Sequence, residues 1–133
     1  MSADLVWQIV KNNNAFLVKK NGVQFSSEPG NIMNLNSFKY SGLANNKSIA
    51  ISATEKGVSV STTKAANKNL KAITVELKKG ARPSAAAVKN ILKGYRPDLS
   101  KAAAARVSAI LKSKKPAKAI KKREQKGVRK VRA

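Results

Sequence analysis

The chain has 133 residues, with 28 Lys and Arg against 6 Asp and Glu and a formal net charge of +22. That is one small domain plus a tail, under a self-repulsion that a polyanionic partner would offset. Cys and His are absent, which excludes disulfides, a thiol nucleophile, thiolate metal sites and the commonest general base. Asp4, Glu28, Glu55, Glu76, Asp98 and Glu124 are scattered without a DxD or ExxE cluster, so no enzyme activity, cofactor or metal is expected.

Apolar runs reach only four residues, as in Ala102 to Ala105, far short of the roughly 20 that span a bilayer. Met1-Ser2-Ala3-Asp4 has neither a basic n-region nor a following apolar h-region, so the expectation is a chain kept in the cytosol or nucleus. Charge is graded along the chain. Residues 1–70 hold 8 basic and 3 acidic residues (net +5), residues 71–111 hold 9 and 2 (net +7), and residues 112–133 hold 11 and 1 (net +10). The last segment is an electrostatic unit of its own.

In segment 2–11, Leu5, Val6, Ile9 and Val10 recur at helical spacing behind a possible Ser2 N-cap, and a short helix is predicted. At period two, Leu5, Trp7 and Ile9 would instead make a strand face. Asn12-Asn13-Asn14 breaks the segment. Ala15 to Lys20 reads as a strand, Asn21-Gly22 as a tight hairpin turn, and Val23 to Ser26 as the returning strand. Glu28-Pro29-Gly30-Asn31 is a turn, and residues 31–47 form a long polar loop whose Phe38, Lys39 and Tyr40 mark a partner surface.

Ile49, Ile51 and Ala53, a turn at Glu55-Lys56-Gly57, and Val58 and Val60 make a second hairpin with one apolar face. Ile73, Val75 and Leu77 give a fifth strand. Helices should cover this face. Pro83 to Lys93 places Ala85, Val88, Ile91 and Leu92 on one stripe with Lys89 and Lys93 on its flank. Leu99 to about Ser113 places Leu99, Ala103, Val107 and Ile110 on another, with Lys101, Lys112 and Lys115 nearly opposite. Between them Gly94 should end the first helix in a left-handed conformation, Pro97 should hold Arg96 extended, and Asp98 should cap the second helix.

The predicted architecture is α+β: a small antiparallel sheet of about five strands packed with two to three short helices over residues 1–113, followed by an extended basic tail, residues 114–133. The tail has too few apolar residues to fold against its charge. It is expected to neutralise phosphate and to order on folded RNA through Lys118, Lys121, Lys122, Arg123, Lys126, Arg129, Lys130 and Arg132. Lys39-Tyr40 and Tyr95-Arg96 pair an aromatic with a cation, a combination that stacks on unpaired bases. Tyr40 could equally be a half-buried anchor and Phe38 a core residue, and whether Tyr95 and Arg96 touch RNA or pin the corner is open. Candidate RNA-binding residues are therefore Lys39, Tyr40, Lys89, Lys93, Tyr95, Arg96, Lys101, Lys112 and Lys115, together with the eight cations of the tail. A membrane is disfavoured because the helix stripes lack large apolar anchors. The Lys-Ala-Pro tail also resembles those of linker histones, so a chromatin or DNA-binding protein is the rival reading.

Leu5-Val6-Trp7, Asn14 to Lys20, Ser27 to Asn31, Asn36 to Leu43, Tyr95 to Leu99 and Ser108 to Leu111 occur in an order that resembles the eukaryotic large-subunit ribosomal protein family twenty-eight. The resemblance runs from the N-terminus to about residue 116, is loose over residues 54–72, and extends to the tail only in its basicity. It implies an α+β structural constituent on the solvent side of the large (60S) subunit, in contact with ribosomal RNA and neighbouring ribosomal proteins. The family implies no catalytic residue. The corresponding expectations are no small-molecule substrate, no homo-oligomer, and a cytoplasmic ribosomal location with nucleolar transit during assembly.

Overall fold

The computed structural model describes residues 1–63, 73–117 and 119. Helix α1 (Ala3–Val10) starts at Ser2, whose hydroxyl accepts from the Leu5 amide, with Asp4 in its first turn. The helical reading of this segment holds. Strands β1 (Leu17–Lys20) and β2 (Val23–Ser26) are antiparallel and join at Asn21-Gly22, where φ is +51° and +75°. Those paired left-handed conformations are what a two-residue hairpin turn requires, and Gly adopts them without a Cβ penalty.

Strands β3 (Ile49–Thr54), β4 (Gly57–Thr62) and β5 (Ile73–Leu77) form a second antiparallel sheet in the order β3-β4-β5. The five predicted strands are thus present but divided between two sheets. Residues 27–48 separate the sheets and contain no strand, only an isolated bridge between Leu35 and Phe25. Gly57 is the first residue of β4 rather than part of the turn, and a Cβ there would stand 2.1 Å from the Leu77 carbonyl oxygen.

Helices α2 (Ala81–Lys93) and α3 (Ser100–Ser113) pack on each other, and α3 lies on β3 and β4. The register puts Ile49, Ile51, Val58 and Val60 on one face, against Val88, Leu92, Leu99, Ala103 and Val107, with Ile32 closing one side. Full burial of a Val, Ile or Leu contributes about 1.5–3 kcal/mol, so this compact cluster dominates stability. The predicted stripes are recognisable in it. The closest positions are Val88, Leu92, Leu99, Ala103 and Val107, whereas Ala85, Ile91 and Ile110 are half-buried. The helices do not extend over β5, which leaves Ile73 and Val75 exposed.

Three expectations at the helix–helix corner are corrected. Gly94 is not left-handed, with φ −96° and ψ −7°. The turn closes instead through the Tyr95 and Arg96 amides, which both donate to the Leu92 carbonyl at 3.1 and 3.0 Å. Before Pro97, Arg96 is neither helical nor fully extended (φ −148°, ψ 79°), so the proline stops the helix without setting the expected extended geometry. Asp98 does not cap α3, which begins after a short 3-10 turn, Pro97–Leu99, with no side-chain cap. Its carboxylate is taken by Arg96, which grips both oxygens at once, and a bidentate pair between two full charges outcompetes a single bond from a backbone amide.

Candidate nucleic-acid interface

The long loop is held by side chains in place of a sheet ladder. Buried backbone polar groups need partners, and the asparagines supply them. Asn31 Nδ2 donates to the Leu35 carbonyl at 2.8 Å, Asn36 Nδ2 to the Lys11 carbonyl at 2.8 Å, and Asn45 Nδ2 to the Phe38 and Ser41 carbonyls at 2.6 and 2.9 Å. Glu28 is the hub. The residue is 5% exposed, and its carboxylate accepts from Asn31 Nδ2 at 3.0 Å, Ser41 Oγ at 3.3 Å and the Leu43 amide at 3.3 Å. These bonds tie the two ends of the loop together and fix the stretch that carries Phe38, Lys39 and Tyr40.

Phe38 is exposed at its rim and tilts against half-buried Trp7, with ring centroids 6.1 Å apart. Tyr40 is half-buried against the core, and Lys39 Nζ lies 5.6 Å above its ring. The Tyr95 hydroxyl donates to the Thr63 carbonyl at 2.6 Å and lies 3.0 Å from the Thr63 hydroxyl. Lys47 Nζ sits 5.7 Å over the Tyr95 ring, within cation–π range.

Arg96 joins these parts. Its Nε and Nη2 donate to the two Asp98 oxygens at 3.0 and 2.7 Å, Nη1 donates to the Lys47 carbonyl at 2.9 Å, and Nη2 also donates to the Lys39 carbonyl at 2.9 Å. The hydrogen bond to Asp98 raises the Arg96 pKa further above its ordinary value, and the reciprocal bond lowers that of Asp98. Tyr95 and Arg96 therefore place their polar atoms on protein partners and set the positions of Lys39 and Lys47.

The remaining predicted cations on the described residues stand outside the core. Lys89 and Lys93 are exposed on α2, Lys101 and Lys112 on α3, and Lys115 just beyond it. The structure brings Lys39, Tyr40, Tyr95 and Arg96 into one connected group, and no hydrogen bond or ion pair links the helix lysines to it. Lys118, Lys121, Lys122, Arg123, Lys126, Arg129, Lys130 and Arg132 lie outside the described residues, as does most of the predicted tail. Sequence reasoning overlooked Lys47, Lys114 and Glu28. Lys114 Nζ donates to the Thr54 and Gly57 carbonyls, the latter at 2.8 Å, and so clamps the β3–β4 turn. Only Glu28 carried a usable signal, as an acid within a Pro-Gly turn.

Among the described residues no group of His, Cys, Asp and Glu could hold a metal ion, and no helix is long and apolar enough to cross a membrane. The described residues form a small basic α+β domain with cations displayed on two helices and on a side-chain-braced loop. The family model described as the Ribosomal L28e protein family matches residues 5–113. The large ribosomal subunit protein eL28 of Dictyostelium discoideum is 43% identical over 132 residues, covering 91% of this chain and 97% of that one. Its namesake in Schizosaccharomyces pombe is 36% identical over 131 residues (90% and 98%), and that in Caenorhabditis elegans 40% over 117 residues (85% and 90%). The chain belongs to the ribosomal L28e family, a family of structural components and not of enzymes.

Proposed function

We propose that the protein is a structural constituent of the large ribosomal subunit that binds ribosomal RNA, touches neighbouring ribosomal proteins and supports cytoplasmic translation. The observation that carries this is the family match over residues 5–113 together with relatives named for that subunit. In this reading Lys89, Lys93, Lys101, Lys112 and Lys115 meet phosphates, Lys39 and Tyr40 meet RNA from the braced loop, and the basic residues from Lys118 to Arg132 add the largest share of counterion release. Tyr95 and Arg96 act by fixing the corner from which Lys39 and Lys47 project. The chain acts as a single copy per particle, without self-association. It reaches the cytoplasmic ribosome after assembly in the nucleolus.

Sucrose-gradient sedimentation tests this. The tagged chain is expected to travel with large subunits and to come off in high salt. Recovery only as free protein or with chromatin would overturn the reading and would favour a linker-histone-like role.

A further inference from the structure

The hairpin β1–β2 is folded with its apolar side outwards. Val18 stands opposite Phe25, and Lys20 opposite Val23, on one face, with Phe16 two residues before Val18. Phe16, Val18, Val23 and Phe25 are 37%, 49%, 48% and 38% exposed. The opposite face carries the Leu17–Ser26 pair, half-buried and 2% exposed. The protein side of the hairpin thus holds Leu17 and Ser26, while Phe25, Val18 and Val23 face away. A two-stranded sheet gains little stability by itself and needs a cover on its apolar face.

The charge distribution identifies the kind of cover. Residues 1–38 contain Lys11, Lys19 and Lys20 against Asp4 and Glu28, a net +1 of the chain's +22. The same residues hold nine of the twelve exposed large apolar side chains found among the described residues. RNA binding draws its free energy from phosphate neutralisation, and this layer is poor in cations. Apolar surface with a sparse charged rim is the composition of a protein–protein interface core.

We infer that the outer face of the β1–β2 hairpin docks a second protein of the particle, one that presents an apolar patch edged by carboxylates. Val18, Val23 and Phe25 enter the patch, and Lys20, on the same face at the hairpin tip, meets the carboxylates. This rests on the ribosomal reading and adds to it a surface and a partner chemistry.

The test places a photoreactive benzoylphenylalanine at position 18 or 23 of the full chain and irradiates isolated large subunits. A control probe at position 112 reports the RNA-facing helix. Probes at 18 and 23 are expected to yield one common adduct that survives ribonuclease and is lost to protease. A ribonuclease-sensitive adduct at both positions, or no adduct in particles that contain the chain, overturns the inference and leaves the proposed function standing. A chain absent from large subunits overturns both. Independently, the double variant Val18→Thr with Val23→Thr keeps β-branched side chains suited to strands. It should raise the fraction released by a fixed salt wash about fivefold, and unchanged release also counts against the docking face.

Discussion

Arg96 Nη2 donates to the Lys39 carbonyl at 2.9 Å, so the corner between α2 and α3 holds the loop that carries Phe38, Lys39 and Tyr40. The same guanidinium holds the Lys47 carbonyl and both Asp98 oxygens. A planar fork with five donors can serve these acceptors together, whereas an ammonium cannot. Arg96→Lys keeps the charge and should still lose most of the stability lost by Arg96→Ala, about 1–2 kcal/mol for several solvent-screened bonds. Urea unfolding of the two variants measures this. A lysine variant as stable as the parent chain would show that charge alone, without the fork, is enough.

The Asp98 partner makes part of that stability dependent on pH. The hydrogen bond from Arg96 lowers the Asp98 pKa, with desolvation opposing it. A carboxylate whose folded pKa lies below its unfolded value contributes fully above the unfolded pKa, about 3.9, and loses the contribution as pH falls through the folded pKa. Asp98→Asn should therefore be less stable than the parent near neutral pH, with the gap closing as pH drops below about 4. Denaturation midpoints across that range decide it. The half-exposed carboxylate keeps the effect small, so a gap constant with pH would remove Asp98 as its source.

The elements with strong local signals were legible in the sequence. Ser2 and the Leu5, Ile9 spacing marked α1, Asn21-Gly22 marked the first hairpin, and the Val88, Leu92 and Leu99, Ala103, Val107 stripes marked the helices. What escaped depended on choices between partners distant in sequence. Asp98 is as suitable a cap as any aspartate until a guanidinium two residues away outcompetes the amide. Gly94 permits a left-handed turn without requiring one, and Pro97 made it unnecessary. The division of five strands into two sheets follows from the loop between them. Three of its Glu28 and asparagine bonds join residues 13 to 25 positions apart, and no periodicity reveals them. For the candidate site, exposed lysines on α2 and α3 followed from helical spacing; that Arg96 could pin the corner was one of two readings, but its Lys39 and Lys47 carbonyl partners were not legible.

Glycine substitutions separate close packing from free space. A Cβ at Gly42 would lie 2.3 Å from the Pro29 carbonyl oxygen and 3.0 Å from the Gly30 carbonyl carbon, both backbone atoms beside the Glu28 hub. Gly42→Ala should destabilise the chain by about 2–4 kcal/mol and loosen the loop. Gly80 has nothing within 4 Å and precedes α2 in an extended conformation without a side-chain cap. Gly80→Ser should leave stability unchanged or raise it by a few tenths of a kcal/mol by capping the free amides. Thermal unfolding of the pair checks both signs, and equal losses would contradict the packing argument.

Truncation can separate folding from RNA binding if the cut respects Lys114. Its ammonium clamps the Thr54 and Gly57 carbonyls at the β3–β4 turn, so it belongs to the domain although it stands in the predicted tail. A chain ending at Ala117 keeps this clamp and loses Lys118, Lys121, Lys122, Arg123, Lys126, Arg129, Lys130 and Arg132 together with Glu124. It should unfold at the same urea concentration as the full chain. Its affinity for large-subunit RNA should fall, and the slope of log K against log salt should flatten by up to about 0.9 for each phosphate contact removed. A chain ending at Ser113, which also loses Lys114 and Lys115, should show a slope at least as flat and, in addition, a lower unfolding midpoint. If both truncations unfold like the parent, the Lys114 clamp contributes nothing measurable. If the slope is unchanged after removal of the eight cations, the RNA contacts lie on the domain alone.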